Sequence, residues 1–355
     1  MKSRVKALLI WGLILGLFVG VPSWAAENPP GPWQNYLSPT EQAALAELAK
    51  RPDSEQSGSK EDDKSTPQET LRMLREGYAQ FVTSNAPRLE SVKVEPFEED
   101  GIKGLWLRPE GVGEERVLLY FHGGGYVVGS AATGVGIAGT LAKEAGIVAF
   151  SLDYPLAPEF PYPAALDNAV AAYRMLMDKV GAANVVLAGD SAGGGLTLAV
   201  LLRVREMGLP MPAGAYLLSP WTDLGVGFAS HQVKRETDTL VDKVFLENLA
   251  DAYVGKLDRK EPLISPAFAD LRGLPPLLVH VGSYETLLDD ALAVVRNAAL
   301  ADVPVKLTVW PGYQHVFQML PQKLEGAHKA LQDGAGFLKD VLSGRLLRPG
   351  EGTIF

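Results

Sequence analysis

No cysteine occurs among the 355 residues. Thiol catalysis, disulfides, cysteine-based zinc sites and a lipid-anchored cysteine are therefore excluded at the outset. Positive charge is also short. The 33 lysines and arginines face 42 aspartates and glutamates, a formal net charge of −9. No basic stripe interleaved with aromatics occurs, which argues against binding nucleic acid. Long apolar runs are rarer still. The one that stands out, Ala7 to Val21, falls short of the roughly 20 residues a spanning helix needs. Histidine is limited to five positions, so the search for a general base is brief.

What is present begins with an address. Lys2, Arg4 and Lys6 precede the apolar run, and Pro22-Ser23-Trp24-Ala25 closes it with small residues. This is the anatomy of a secretory signal peptide. Cleavage after Ala25 is expected, leaving an exported protein, periplasmic or extracellular, with no stable membrane span. Residues 26–90 read as an N-terminal segment with two helices. One starts at Ser38-Pro39-Thr40-Glu41 and runs to Ala49. The other spans about Pro67 to Val82, with Leu71, Leu74, Tyr78, Phe81 and Val82 as its apolar stripe. Between them the polar stretch 52–67 reads as a flexible loop.

From about residue 91 to 345 the pattern is that of one large α/β domain, with 346–355 as a tail. Val92–Val94 and Leu105–Leu107 read as antiparallel strands turning at Asp100-Gly101, and Val117–Phe121 as a fully buried strand. Further strands are expected at Ile147–Leu152, Val185–Ala188, Ala215–Leu218, Leu277–Val281 and Val305–Val309. Helices are expected near Val135–Ala145, Pro163–Lys179, Ala192–Met207, Leu287–Leu300 and Gly326–Leu342. Such alternation implies a mostly parallel sheet with helices on both faces. The interval from about 221 to 269 offers no convincing strand, only a helix at Asp242–Tyr253. Together with the N-terminal helices it would form a cap over the strand ends, where ligands of open parallel sheets bind.

The chemistry centres on Gly189-Asp190-Ser191-Ala192-Gly193. Strand, sharp turn and helix around a serine between glycines is the context that gives a G-x-S-x-G match its meaning. A serine nucleophile needs a base, an orienting acid and backbone N–H groups aimed at the oxyanion. His122-Gly123-Gly124-Gly125-Tyr126 follows the strand Val117–Phe121. With no side chains in the way, the amides of Gly124 and Gly125 can join that of Ala192 as oxyanion donors. Among the histidines, His122 reads as structural and His280 as a hydrogen-bonded core residue. His231 and His328 are expected to face solvent. His315, one turn past the last strand, is the expected base. The acid should follow the penultimate strand, where Glu285 lies in the exit loop and Asp289 and Asp290 fall on the helix. Glu285 is the first choice and Asp290 a genuine competitor.

These motifs identify a resemblance. His122–Gly125, Asp153-Tyr154-Pro155-Leu156-Ala157-Pro158-Glu159, Gly189–Gly194, Glu285–Asp290 and His315-Val316-Phe317 are similar to those of the hormone-sensitive-lipase-like group of α/β-hydrolases. These are bacterial carboxylesterases with an HGGG loop. The match covers roughly Val117 to Leu342. Pro155 stands where the family usually has arginine. Glu285-Thr286-Leu287-Leu288-Asp289 matches the glutamate-using variants, so the resemblance assigns the acid to Glu285. It implies an eight-stranded sheet with a helical cap, a small-molecule ester as substrate, and neither metal nor organic cofactor. It places Asp190 in the family's GDSAG branch, as a carboxylate shaping the turn. The expected activity is hydrolysis of acyl esters of about two to eight carbons. Peptidase, amidase or lactonase chemistry on the same residues, or a non-catalytic binding role, would be the alternatives.

Overall fold

The computed structural model describes residues 37–49 and 66–345. The expected signal peptide, most of the polar loop and the C-terminal tail lie outside them. Eight strands form one sheet in the order β1-β2-β4-β3-β5-β6-β7-β8. β1 (Val92–Glu99) and β2 (Ile102–Pro109) form the antiparallel end, and β2 pairs antiparallel to β4 (Val148–Leu152). The hairpin is longer than the sequence suggested, because mixed polar residues on its exposed face conceal the alternation. At its turn Asp100 and Gly101 both take positive φ, 49° and 78°. That is the twist a tight two-residue hairpin requires.

From there on the sheet is parallel: β4, β3 (Val117–Phe121), β5 (Val185–Asp190), β6 (Gly214–Leu218), β7 (Leu277–Gly282) and β8 (Val305–Trp310). The strands β3 to β7 are buried throughout and mostly apolar, because both faces are covered. Side chains alternate across a strand, and the two cores divide accordingly. Leu119, Phe121, Val185, Leu187, Leu217 and Val279 enter one core. Leu118, Tyr120, Val186, Ala188, Tyr216 and Leu278 enter the other. The first core is covered by α4 (Ala164–Val180), α5 (Ala192–Glu206) and α8 (Leu288–Leu300), the second by α3 (Ala131–Ala145) and α9 (Glu325–Leu342).

The two N-terminal helices are α1 (Pro39–Ala49) and α2 (Pro67–Asn85). A reciprocal capping box starts α2. Thr66 accepts from the Glu69 amide and the Glu69 carboxylate accepts from Thr66 N–H. Between β6 and β7 the chain makes α6 (Ser230–Val233) and α7 (Lys243–Val254) and no strand. This insertion packs over the carboxyl ends of the strands. Tyr253 of α7 stacks on Tyr126 at 3.9 Å, just past β3, and Thr286, just past β7, donates to Val241 O.

Candidate active site

Ser191 sits where β5 stops and α5 starts. Its φ of 54° and ψ of −122° form a backbone state that costs about 1–3 kcal/mol and persists only when its surroundings impose it. Here they do. Ser191 N–H donates to Leu218 O at 2.9 Å, and its carbonyl accepts from Trp221, Gly194 and Gly195. Gly193 permits the sharp exit, since a Cβ there would lie 2.0 Å from Phe121 O. The turn thus presents Oγ at the carboxyl edge of the sheet.

His315 reaches that oxygen from the loop after β8. Its Nε2 lies 2.9 Å from Ser191 Oγ and its Nδ1 lies 3.0 Å from Glu285 Oε2. Glu285 is fully buried in the loop after β7. Its other oxygen accepts from Ser219 Oγ at 2.7 Å and Gly282 N–H at 2.5 Å. The carboxylate is therefore held on both sides, and one oxygen is left to the imidazole. Burial alone would lower the His315 pKa. The hydrogen bond and charge of Glu285, with Asp238 and Asp190 further off, outweigh it and raise it above the ordinary value.

The glycine loop after β3 stands on the other side of the serine. Gly124 has φ 113°, and a Cβ there would lie 2.2 Å from Val128 O. The Gly123 amide is taken by the Asp190 carboxylate at 3.0 Å, which also accepts from Tyr120 OH at 2.5 Å. Among the described residues no acceptor meets the amides of Gly124 and Gly125. Ala192 begins a helix, where the first amides have no partner within the helix. Ser191, His315, Glu285 and these three amides come from the exits of β5, β8, β7 and β3. The arrangement can move a proton from serine to imidazole and offer N–H groups to a developing oxyanion.

The other acidic candidates go elsewhere. Asp290 is buried and accepts from Thr222 and Asp223 amides, each at 2.8 Å, and lies 2.7 Å from His231 Nε2. Asp289 accepts from the Ser230 amide. Neither meets His315. The expectation for His231 was wrong: it is fully buried, because the cap insertion folds it down onto Asp290. His328 is exposed as expected. His122 stacks on Tyr154 at 4.2 Å, and burial lowers its pKa to about 4, which keeps the ring neutral. His280 bonds Tyr216 OH and Asp333.

Three residues that contact the loops of this arrangement were not marked by the sequence. Ser219 has only one signal, its place directly after a parallel strand. Asp238 lies in the insertion, where no periodicity marks it. Arg75 of α2 donates to Val127 O and Ala157 O and makes a paired contact with Glu159. It sets a guanidinium beside the segment 155–159.

Known proteins resemble this chain in sequence and in fold. A family model described as "alpha/beta hydrolase fold" matches residues 118–319. An acetyl-hydrolase of Streptomyces hygroscopicus is 42% identical over 235 residues, covering 66% of this chain and 78% of that protein. An esterase of Acinetobacter venetianus is 33% identical over 253 residues, covering 71% and 83%. The crystal structure of an esterase from the bacterial hormone-sensitive lipase family superimposes with a TM-score of 0.78 at 35% identity, covering 86% of this chain and 99% of that one. The chain belongs to the alpha/beta-hydrolase family, in its hormone-sensitive-lipase-like group. It is a carboxylic ester hydrolase.

Proposed function

We propose that the protein is a serine carboxylesterase of short-to-medium acyl esters, with Ser191 as nucleophile, His315 as general base and acid, and Glu285 as the orienting carboxylate. The observation that carries this reading is the unbroken hydrogen-bonded line from Ser191 Oγ through His315 to Glu285. His315 takes the serine proton as Oγ attacks the ester carbonyl, and the oxyanion rests on the amides of Gly124, Gly125 and Ala192. The imidazolium then gives its proton to the leaving alcohol, and an acyl-serine remains. Water repeats the sequence, releasing the acid and restoring the serine. Glu285 keeps Nδ1 protonated in the resting state and stabilises the imidazolium.

Two observations support a small acyl group. Leu249 of α7 presses on the glycine loop so closely that a Cβ on Gly125 would lie 2.4 Å from its Cδ1. The similar Streptomyces protein is named an acetyl-hydrolase. The basic residues and apolar run at the N-terminus support export, with the mature chain starting at Ala26. Mass spectrometry of secreted material tests that start.

The function itself is tested with Ser191→Ala. The variant should keep its melting midpoint, lose fluorophosphonate labelling and fall to near-background turnover of p-nitrophenyl acetate. Undiminished turnover would exclude this serine. A series of p-nitrophenyl esters should show kcat/KM falling as the acyl chain lengthens, and Leu249→Ala, which removes the side chain pressed on the glycine loop, should move that fall to longer chains.

A further inference from the structure

One buried carboxylate beside the site has no part in the chemistry just described. Asp238 belongs to the cap insertion, is only 6% exposed and forms no ion pair with a lysine or arginine among the described residues. A lone buried charge is costly unless hydrogen bonds or an opposite charge compensate it. Three amides do part of this. Oδ1 accepts from Leu240 and Val241, each at 3.0 Å, and Oδ2 accepts from Thr286 at 2.8 Å.

The third of these is the informative one, because Thr286 is the neighbour of Glu285. The contacts around it follow the same plan. Thr237 Oγ1 donates to Tyr284 O at 3.2 Å, and Thr286 Oγ1 donates to Val241 O at 2.8 Å. Thr239 Oγ1 donates to the side chain of Gln314, the neighbour of His315. The strap 237–241 thus grips the residues on both sides of Glu285 and the residue before His315. Asp238 is its buried centre.

We propose that Asp238 is a positioning residue for ester hydrolysis: it fixes the Glu285 loop through the Thr286 amide and adds a second negative charge that favours the imidazolium form of His315. The proposal rests on the reading of Ser191, His315 and Glu285 as the reacting set. The charged groups involved come from four elements. His315 enters from the loop after β8 and Glu285 from the loop after β7. Asp190 faces His315 from the end of β5, and Asp238 from the cap. Asp238 is raised to about 6, first by burial and also by the charge of Glu285, while His315 and the Thr286 and Val241 amides oppose the rise. Near neutral pH it therefore carries its charge while His315 works as a base.

The test compares Asp238→Asn and Asp238→Glu with the wild type, and with Ser191→Ala, using p-nitrophenyl acetate between pH 5 and 9. Removing the charge should lower the His315 pKa, so the acidic limb of kcat/KM for Asp238→Asn should move down by roughly half a pH unit or more. At the plateau, kcat should fall about tenfold or more, because the Thr286 amide loses its carboxylate. Asp238→Glu keeps the charge but displaces the oxygens by a methylene. It should lose rate while its acidic limb stays in place, and this holds as a test should the asparagine variant not fold. An unmoved limb in Asp238→Asn, with only a lower melting midpoint, would overturn the proposal. So would a limb that shifts equally in both variants. If Ser191→Ala retains turnover, the reading of the reacting set fails and the proposal fails with it. An inactive Ser191→Ala with an unmoved Asp238→Asn limb sinks the proposal alone.

Discussion

At the scale of single residues, hydrogen bonds separate the acidic side chains that sequence spacing leaves in competition. Glu285 meets His315, while Asp290 meets His231 and the Thr222 and Asp223 amides. Glu285→Gln should therefore cut kcat by about 10⁴, the size seen when the orienting acid of such a set becomes an amide. Asp290→Asn should chiefly lower the melting midpoint. Steady-state kinetics beside a thermal scan reads both, and the reverse pattern would move the acid to Asp290. Ser219 offers a finer test. Without its hydroxyl, Glu285 Oε1 keeps only the Gly282 amide. A hydrogen bond to a charged group contributes about 1.5–3 kcal/mol, so Ser219→Ala should lose about ten- to a hundred-fold in kcat/KM. The direction of the pH dependence follows from the His315 shift. The base must be neutral to act, and its pKa lies above the ordinary 6.5. Activity should thus fall as pH drops, with the midpoint of the acidic limb above 6.5. A midpoint well below that value would contradict the charge environment described for His315.

At the scale of elements, the site is completed by pieces that are remote in sequence. The α2 helix reaches the glycine loop and the Pro155 segment through Arg75, whose Nε donates to Val127 O at 2.9 Å and whose Nη2 donates to Ala157 O at 3.0 Å. Glu159, at the far end of this contact, is nearly half exposed, so the guanidinium matters for its geometry more than for its charge. Arg75→Lys should keep most of the stability but lower kcat, since an ammonium cannot span both carbonyls and the carboxylate. Unchanged kcat would show that α2 merely rests on the domain. The α1 helix docks similarly, with Glu41 accepting from Tyr313 OH and the Gly326 amide. The cap is pinned by His231 on Asp290. Burial would lower the His231 pKa, but the hydrogen bond and charge of Asp290 raise it. Its contribution to stability is therefore full below about 6.5 as long as Asp290, whose own pKa burial raises, stays ionised, and is lost as pH rises through the raised His231 value. His231→Ala, which strands Asp290 without its partner, should cost about 3–5 kcal/mol in urea unfolding at neutral pH. A loss under 1 kcal/mol would mean that the two amides on Asp290 suffice.

At the scale of the whole molecule, sequence pattern and tertiary contact decided different things. The apolar runs of β3 to β7, alternating with helical stripes, determined the parallel sheet and its two cores. A strand buried on both faces can tolerate little else. The same reading reached Ser191, Gly124, Gly125, Glu285 and His315 because each lies just beyond a strand. The carboxyl edge of a parallel sheet gathers such positions whatever lies between them. That much is local chemistry repeated at the right intervals. What the tertiary structure alone decided is which side chains pair across the edge. His231 turned inward onto Asp290, Glu285 rather than Asp290 met His315, and Ser219, Asp238 and Arg75 came to lie against the loops around them without any motif. These contacts of His231, Ser219, Asp238 and Arg75 close over separations of 48 to 84 residues. No periodicity encodes them, since a hydrogen bond across two loops depends on where both backbones come to rest. The order of strands is written in short runs of residues. The partners of a buried carboxylate exist only once the sheet and its cap have closed around it.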